Sequence, residues 1–156
     1  MPVFVIFDYR GIMSEEKKCN LKITSNVLNL DENEKPDGAP EKDELCALGE
    51  IKTEKGKTTL SYKEKRDGAA VLCEIVAKGD SVTVRRRGDV VCDMLFSPQK
   101  SYKTLYNVPP FSFDMEIYTV RIENSINEEH GSLSLIYNMT VGGAKKRCRM
   151  KIKRED

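Results

Sequence analysis

The feature that most constrains this chain is a period-two alternation of apolar and polar residues through its last third. It runs through Phe111-Ser112-Phe113-Asp114-Met115-Glu116-Ile117. It recurs in Leu133-Ser134-Leu135-Ile136-Tyr137-Asn138-Met139-Thr140-Val141 and again in Arg147-Cys148-Arg149-Met150-Lys151-Ile152-Lys153. A two-residue period sends alternate side chains to opposite faces, so these are strands with one buried face and one wet face. An antiparallel sheet of this extent must close on itself or fold into a sandwich to hide its edges.

The same reading extends upstream. Strand-like segments cover approximately 20–30, 44–53, 57–65, 69–78, 81–87, 90–96, 102–107, 111–124, 132–141 and 145–153. Turn chemistry separates them: Lys55-Gly56, Asp67-Gly68, Gly79-Asp80, Gly88-Asp89, His130-Gly131 and Gly142-Gly143. Glycine supplies the positive φ that tight hairpins require. Pro109-Pro110 interrupts the ladder because neither residue donates a hydrogen bond. No segment carries a helical period, apart from a short turn near 97–100. Short connections imply antiparallel neighbours. The expected fold is therefore all-β: a closed or nearly closed antiparallel barrel of about 8–10 strands in meander order, with a two-sheet sandwich as the alternative. Leu60, Tyr62, Cys73, Ile75, Val82, Val84, Leu133, Leu135, Tyr137, Met139, Cys148, Met150 and Ile152 form the expected core.

Composition limits the possible partners. A chain of 156 residues suits one domain with a hydrophobic core of its own. Its 26 Lys and Arg nearly balance 25 Asp and Glu, so the net charge of +1 makes no global case for nucleic acid or an anionic membrane. The longest apolar runs, Val3-Phe4-Val5-Ile6-Phe7 and Ala69-Ala70-Val71-Leu72-Cys73, are too short for a membrane span. Five cysteines at 19, 46, 73, 92 and 148 form no C-x-x-C pair, and His130 is the single histidine. That argues against a zinc site, and no cofactor is implied. Cys73, Cys92 and Cys148 fall in phase with apolar neighbours, as small buried hydrophobes do. Reduced thiols fit a cytoplasmic protein.

Residues 1–12 read differently from the rest. Met13-Ser14-Glu15-Glu16-Lys17-Lys18 resembles an ordinary protein start. The expectation is an extra N-terminal segment over 1–12 from a misplaced start, with Met13 the true start and an additional strand over 3–7 as the alternative, followed by a single barrel domain over 13–156. The polar, acidic stretch 31–43 has almost nothing apolar to anchor it and reads as a floppy insertion rather than a lid.

Several ordered groups of residues resemble a known family. They are Leu60-Ser61-Tyr62 with Glu64, then Val82 and Val84 followed by Arg86 and Gly88. After these comes Glu128-Glu129-His130-Gly131, leading into Leu133-Ser134 and Tyr137-x-Met139-x-Val141-Gly142. Their order, over about Ile23 to Ile152, resembles the YwiB-like family of small proteins from low-GC Gram-positive bacteria. The resemblance implies a calycin-like (lipocalin-like) β-barrel and no assigned activity. It does not reach residues 1–12. Arg85 and Arg87 depart from it, since the family is expected to be less basic there.

Arg86 is the leading candidate for chemistry. Parity puts it in line with Val82 and Val84, on the apolar face. An inward arginine must find an acceptor, because an unpaired buried charge is costly. Tyr62 and Glu64 share one face of another strand with Leu60, so Glu64 is a candidate ion-pair partner and Tyr62 a candidate hydrogen-bond partner. Tyr137 is a further interior polar group. In related lipocalin-like barrels, inward arginine and tyrosine hold a ligand carboxylate. The bland alternative is a barrel-closing ion pair, or an arginine reaching out at the rim.

A second set is basic: Arg85 and Arg87, with Arg147, Arg149 and Lys151 on one face of the last strand. It is either a polyanion contact or a solvated outer face, and the absence of interleaved aromatics favours the solvated face. Asp114 and Glu116 share a face but read as the wet side of a strand. His130 reads as a turn residue, and Ser61 and Ser134 have no evident base. The functional expectation is a non-enzymatic small-molecule-binding barrel for an anionic or lipophilic ligand. The alternative is a protein- or RNA-interaction module using its outer surface.

Overall fold

A computed structural model describes residues 17–66 and 68–155. The expected extra segment over 1–12 and the Met13 start lie outside the described residues. Ten antiparallel strands account for almost everything else. They are β1 (Lys17–Leu30), β2 (Glu41–Glu54), β3 (Lys57–Arg66), β4 (Ala69–Lys78), β5 (Ser81–Gly88), β6 (Cys92–Phe96), β7 (Ser101–Val108), β8 (Phe111–Asn124), β9 (Ser132–Val141) and β10 (Ala144–Arg154). Each coincides with a segment of period-two alternation. Among the described residues there is no helix, and so none long and apolar enough to cross a membrane.

The strand order is β6-β5-β4-β3-β2-β1-β10-β9-β8-β7. Every consecutive pair except β6 and β7 is hydrogen-bonded, and the chain ends are joined through β1 and β10, with Ile23 opposite Ile152. The sheet is thus a meander wrapped into a nearly closed barrel, its seam in mid-sequence between β6 and β7. The seam is pinned at both ends. At one end Val91 and Asn107 exchange backbone bonds of 2.8 and 3.0 Å. At the other, the turn after β6 is tied to β8: Gln99 N–H donates to the Thr119 carbonyl at 2.9 Å, and Thr119 N–H to the Lys100 carbonyl at 3.2 Å.

A β-bulge follows Thr119, between Thr119 and Arg121. One extra residue reverses the strand's parity. Thr119 is fully buried, Val120 turns outward, and Ile122 packs against the core where strict alternation would have put Arg121 and Glu123.

One contiguous core fills the barrel. Its fully enclosed members include Leu21, Ile51, Leu60, Ile75, Val82, Val84, Phe96, Ile117, Leu133, Leu135 and Ile152. They occupy the half next to the β2–β3, β4–β5 and β8–β9 connections, which we call the floor. The connection between β8 and β9 is a loop rather than the expected tight turn. It folds Ile126 into the floor, only 5% exposed, and the Thr58 hydroxyl donates to the Ile126 carbonyl at 3.2 Å.

The opposite end, the mouth, is less tightly enclosed. Tyr137 and Met139, expected in the core, are only half-buried because they lie on the mouth half of β9. Phe111 and Phe113 at the start of β8 are exposed. The acidic segment between β1 and β2, expected to be floppy, is folded back over β1. The Asp31 carboxylate accepts from the Asn33 and Lys35 amides at 2.8 and 3.0 Å, and Asp37 N–H donates to the Asn29 carbonyl at 2.8 Å. Local side-chain-to-backbone bonding replaces the missing apolar anchor.

Candidate functional site: a polar cluster inside the barrel

Strand register builds the cluster. Tyr62 on β3 stands opposite Cys73 on β4, Cys73 opposite Arg86 on β5, and Arg86 opposite Cys92 on β6. These four residues form one inward row across four strands. Glu64 is two residues beyond Tyr62 on the same face of β3. Gly88 lets the strands converge here. Its φ is +131°, and a side chain at that position would collide with the Ala70 carbonyl.

Arg86 Nη1 lies 3.8 Å from Glu64 Oε2, with the two side chains 23% and 17% exposed. That separation is an ion pair but too long for a hydrogen bond. The Cys73 thiol points at the same Glu64 oxygen, 3.9 Å away. Arg86 Nε is buried and has no hydrogen-bond partner. Burial works against the guanidinium charge, yet Coulombic coupling to the ionisable groups around it, Cys73 first and then Glu64, Tyr62 and Cys92, outweighs it and raises the Arg86 pKa. Burial also raises the phenol of Tyr62 and the thiols of Cys73 and Cys92, so all three are neutral donors at ordinary pH.

Tyr137 approaches from the other wall. Its ring meets Phe96 of β6 edge-on, centroids 4.8 Å apart, so the contact joins β9 to β6 across the interior. Burial and the neighbouring Cys148 push its phenol up, while the Arg86 charge acts in the opposite sense. Cys148 stands opposite Tyr137 on β10, and burial lifts its thiol to about 11. The structure therefore brings Arg86, Tyr62, Glu64 and Tyr137 together around one interior region, bounded below by the packed floor.

Lys146 was not singled out in the sequence. It stands on the inward register of β10 toward the mouth, and its ammonium donates to Asn29 Oδ1 at 3.1 Å. The available signal was its parity with Cys148, Met150 and Ile152, obscured by the basic run Lys145-Lys146-Arg147.

The basic set is not brought together. Arg85 and Arg87 lie on the outer face of β5 and are engaged by acids. Arg87 Nη1 is 2.9 Å from Asp93 Oδ1, Arg85 Nε is 3.7 Å from the same oxygen, and Arg85 Nη1 is 4.0 Å from Glu74. The Arg87 hydrogen bond holds the Asp93 carboxyl below its ordinary range. Arg147, Arg149 and Lys151 belong to β10, and β4, β3, β2 and β1 intervene. Asp114 and Glu116 are exposed on the outer face of β8, and His130 is exposed in the β8–β9 loop. Among the described residues, no group of three His, Cys, Asp or Glu is placed to hold a metal ion.

Comparison with known proteins agrees with this architecture. The family model described as a domain of unknown function, DUF1934, matches residues 20–152. The chain belongs to the DUF1934 family. A curated relative is the uncharacterized β-barrel protein YwiB of Bacillus subtilis (strain 168). It is 28% identical over 125 residues, covering 80% of this chain and 86% of that protein. The crystal structure of the ywiB protein from Bacillus subtilis superposes with a TM-score of 0.71 at 22% identity, over 89% of this chain and 94% of that one. That likeness supports the barrel. In this DUF1934 chain the matched span contains all four residues of the interior cluster.

Proposed function

We propose that this protein is a non-catalytic binding barrel for a small amphiphilic molecule, whose anionic group is received by Arg86. The observation that carries the reading is the buried Arg86 Nε without a hydrogen-bond partner. A buried guanidinium donor left unpaired costs free energy that an incoming oxygen recovers. Glu64 balances the charge from one side, at a distance that leaves other guanidinium donors usable. The neutral hydroxyls of Tyr62 and Tyr137, hydrogen-bonded to the Cys73 and Cys148 thiols, would turn from those thiols to the ligand's oxygens.

Because the floor is packed, the apolar part of such a ligand points toward the mouth, where Met139, Tyr106 and Val141 are only half-buried and Phe111 and Phe113 are exposed. Free thiols at all five cysteines suit a reducing, cytoplasmic setting.

The test is native mass spectrometry of protein purified without denaturation, followed by organic extraction and identification of released small molecules. The reading expects a sub-kilodalton acid that is retained by the natural protein and lost from Arg86→Met. Retention of the same molecule by both proteins would remove Arg86 from the site. Absence of any adduct, together with no thermal shift from medium-chain carboxylates, would remove the binding function.

A further inference from the structure

The outer face of β10 carries four exposed cations on alternate residues: Arg147, Arg149, Lys151 and Lys153. None has a carboxylate within ion-pair distance among the described residues, in contrast to Arg85 and Arg87 on β5. The flanking strands explain why. Across β1 these residues face Leu28, Asn26, Thr24 and Lys22, and across β9 they face Asn138, Ile136, Ser134 and Ser132. Not one of these eight neighbours is acidic. Of the acids one strand further out, Glu44 pairs with Lys22 at 3.4 Å and Glu123 with Arg121 at 3.0 Å, while Glu116, opposite Thr140, and Glu50, opposite Lys18, lie past the ends of the row. Lys22 even stands directly opposite Lys153, a like-charge pairing that works against the sheet. A chain whose charges nearly cancel has thus gathered an unneutralised single file of cations on one wall.

We infer that this wall binds the backbone of a single-stranded nucleic acid, running along β10. A strand repeats its face every two residues, about 6.6 Å, comparable to the separation of successive phosphates along an extended strand. The cations are bordered by hydroxyl and amide side chains, Thr24, Asn26, Ser132, Ser134 and Asn138. These are the groups that join arginine and lysine in contacting phosphate and sugar. No aromatic side chain lies on the outer face of β10 or among the outward residues of β1 and β9 that flank the row, so bases are not read and binding is independent of sequence. A single row matches one backbone rather than a duplex. The face also lacks the exposed apolar anchors that would seat a membrane, since Leu28 and Ile136 are half-buried. This inference concerns the outer wall and does not depend on the interior site.

The experiment is fluorescence anisotropy with a labelled single-stranded RNA of mixed sequence, about a dozen nucleotides long, titrated over a series of salt concentrations. Four contacts predict a log–log salt slope near −2.8, at about 0.7 per cation. The double variant Arg149→Gln/Lys151→Gln should halve the slope to about −1.4, while Arg85→Gln/Arg87→Gln leaves it unchanged. Circular dichroism melts of both variants verify folding. Absence of saturable binding at low salt overturns the inference, as does equal weakening by the two double variants. Equal displacement by polyglutamate or by anionic vesicles would show a general polyanion surface and overturns it also.

Discussion

Arg86 Nη1 and Glu64 Oε2 face each other across 3.8 Å inside the barrel, from strands separated by β4. The pair is partly dehydrated but not hydrogen-bonded, so Glu64 neutralises Arg86 without saturating it. The proposed binding role rests on this incomplete pairing.

The pair makes Arg86 the costliest arginine of its triplet. Breaking a fully buried pair costs about 3–5 kcal/mol. With roughly a fifth of each side chain exposed, about 2–3 kcal/mol is expected for Arg86→Ala. Arg85→Ala should cost under about 1 kcal/mol, and Arg87→Ala should leave the denaturation midpoint where it is. Urea denaturation monitored by far-ultraviolet circular dichroism measures all three. Equal shifts would show that the interior pair has no special weight.

Stability should fall on the alkaline side. The Cys148 thiol is raised from an ordinary 9.0 to about 11 in the folded protein. Between those values the unfolded chain loses its proton first, so the native state binds more protons and unfolding becomes easier as pH rises. The contribution is whole below pH 9 and is lost by about pH 11. Cys73, Cys92, Tyr62 and Tyr137 shift in the same direction and steepen the decline. Melting temperatures measured from pH 7 upward should drop, and Cys148→Ala should drop less between pH 9 and 11. A profile identical to that of the natural protein would contradict the assignment.

Thiol reactivity should divide the cysteines. Cys46 is exposed, while Cys19, Cys73, Cys92 and Cys148 are buried. In the native state one thiol should react quickly with a chromogenic disulfide and four slowly, whereas unfolding without reductant should release all five at once. Fast native reaction of a second thiol would mean that the barrel opens far more readily than its packing implies.

The floor should depend on Ile126. Ile126→Ala removes a side chain wedged into the closed end and is expected to cost about 2–4 kcal/mol. Thr58→Val keeps the shape but deletes the hydroxyl that bonds the Ile126 carbonyl, and should cost on the order of 1 kcal/mol. Denaturant midpoints decide both. A negligible effect at Ile126 would place the β8–β9 loop outside the cooperative core.

Ten strands and their inward faces could be read from the chain because a period of two is a local property, imposed by the backbone of each strand separately. The same parity turned Arg86, Tyr62 and Glu64 inward before any neighbour was known. Whether those side chains meet is another question. It depends on the register Tyr62–Cys73–Arg86–Cys92 across four strands, and on Tyr137 arriving from the opposite wall, joined to β3–β6 through the β1–β10 pairing and the pinned β6–β7 seam. Local alternation also misleads wherever tertiary packing inserts a residue, as at Thr119, where one bulge exchanges Arg121 for Ile122 on the inner face. Arg85 and Arg149 look alike in the sequence, each an outward arginine in a basic run. Only strand neighbours tell them apart, since Asp93 and Glu74 flank the first and Asn26 and Ile136 flank the second. Parity is settled by the chain next door in sequence, while charge neutralisation and site assembly are settled by the chain next door in space.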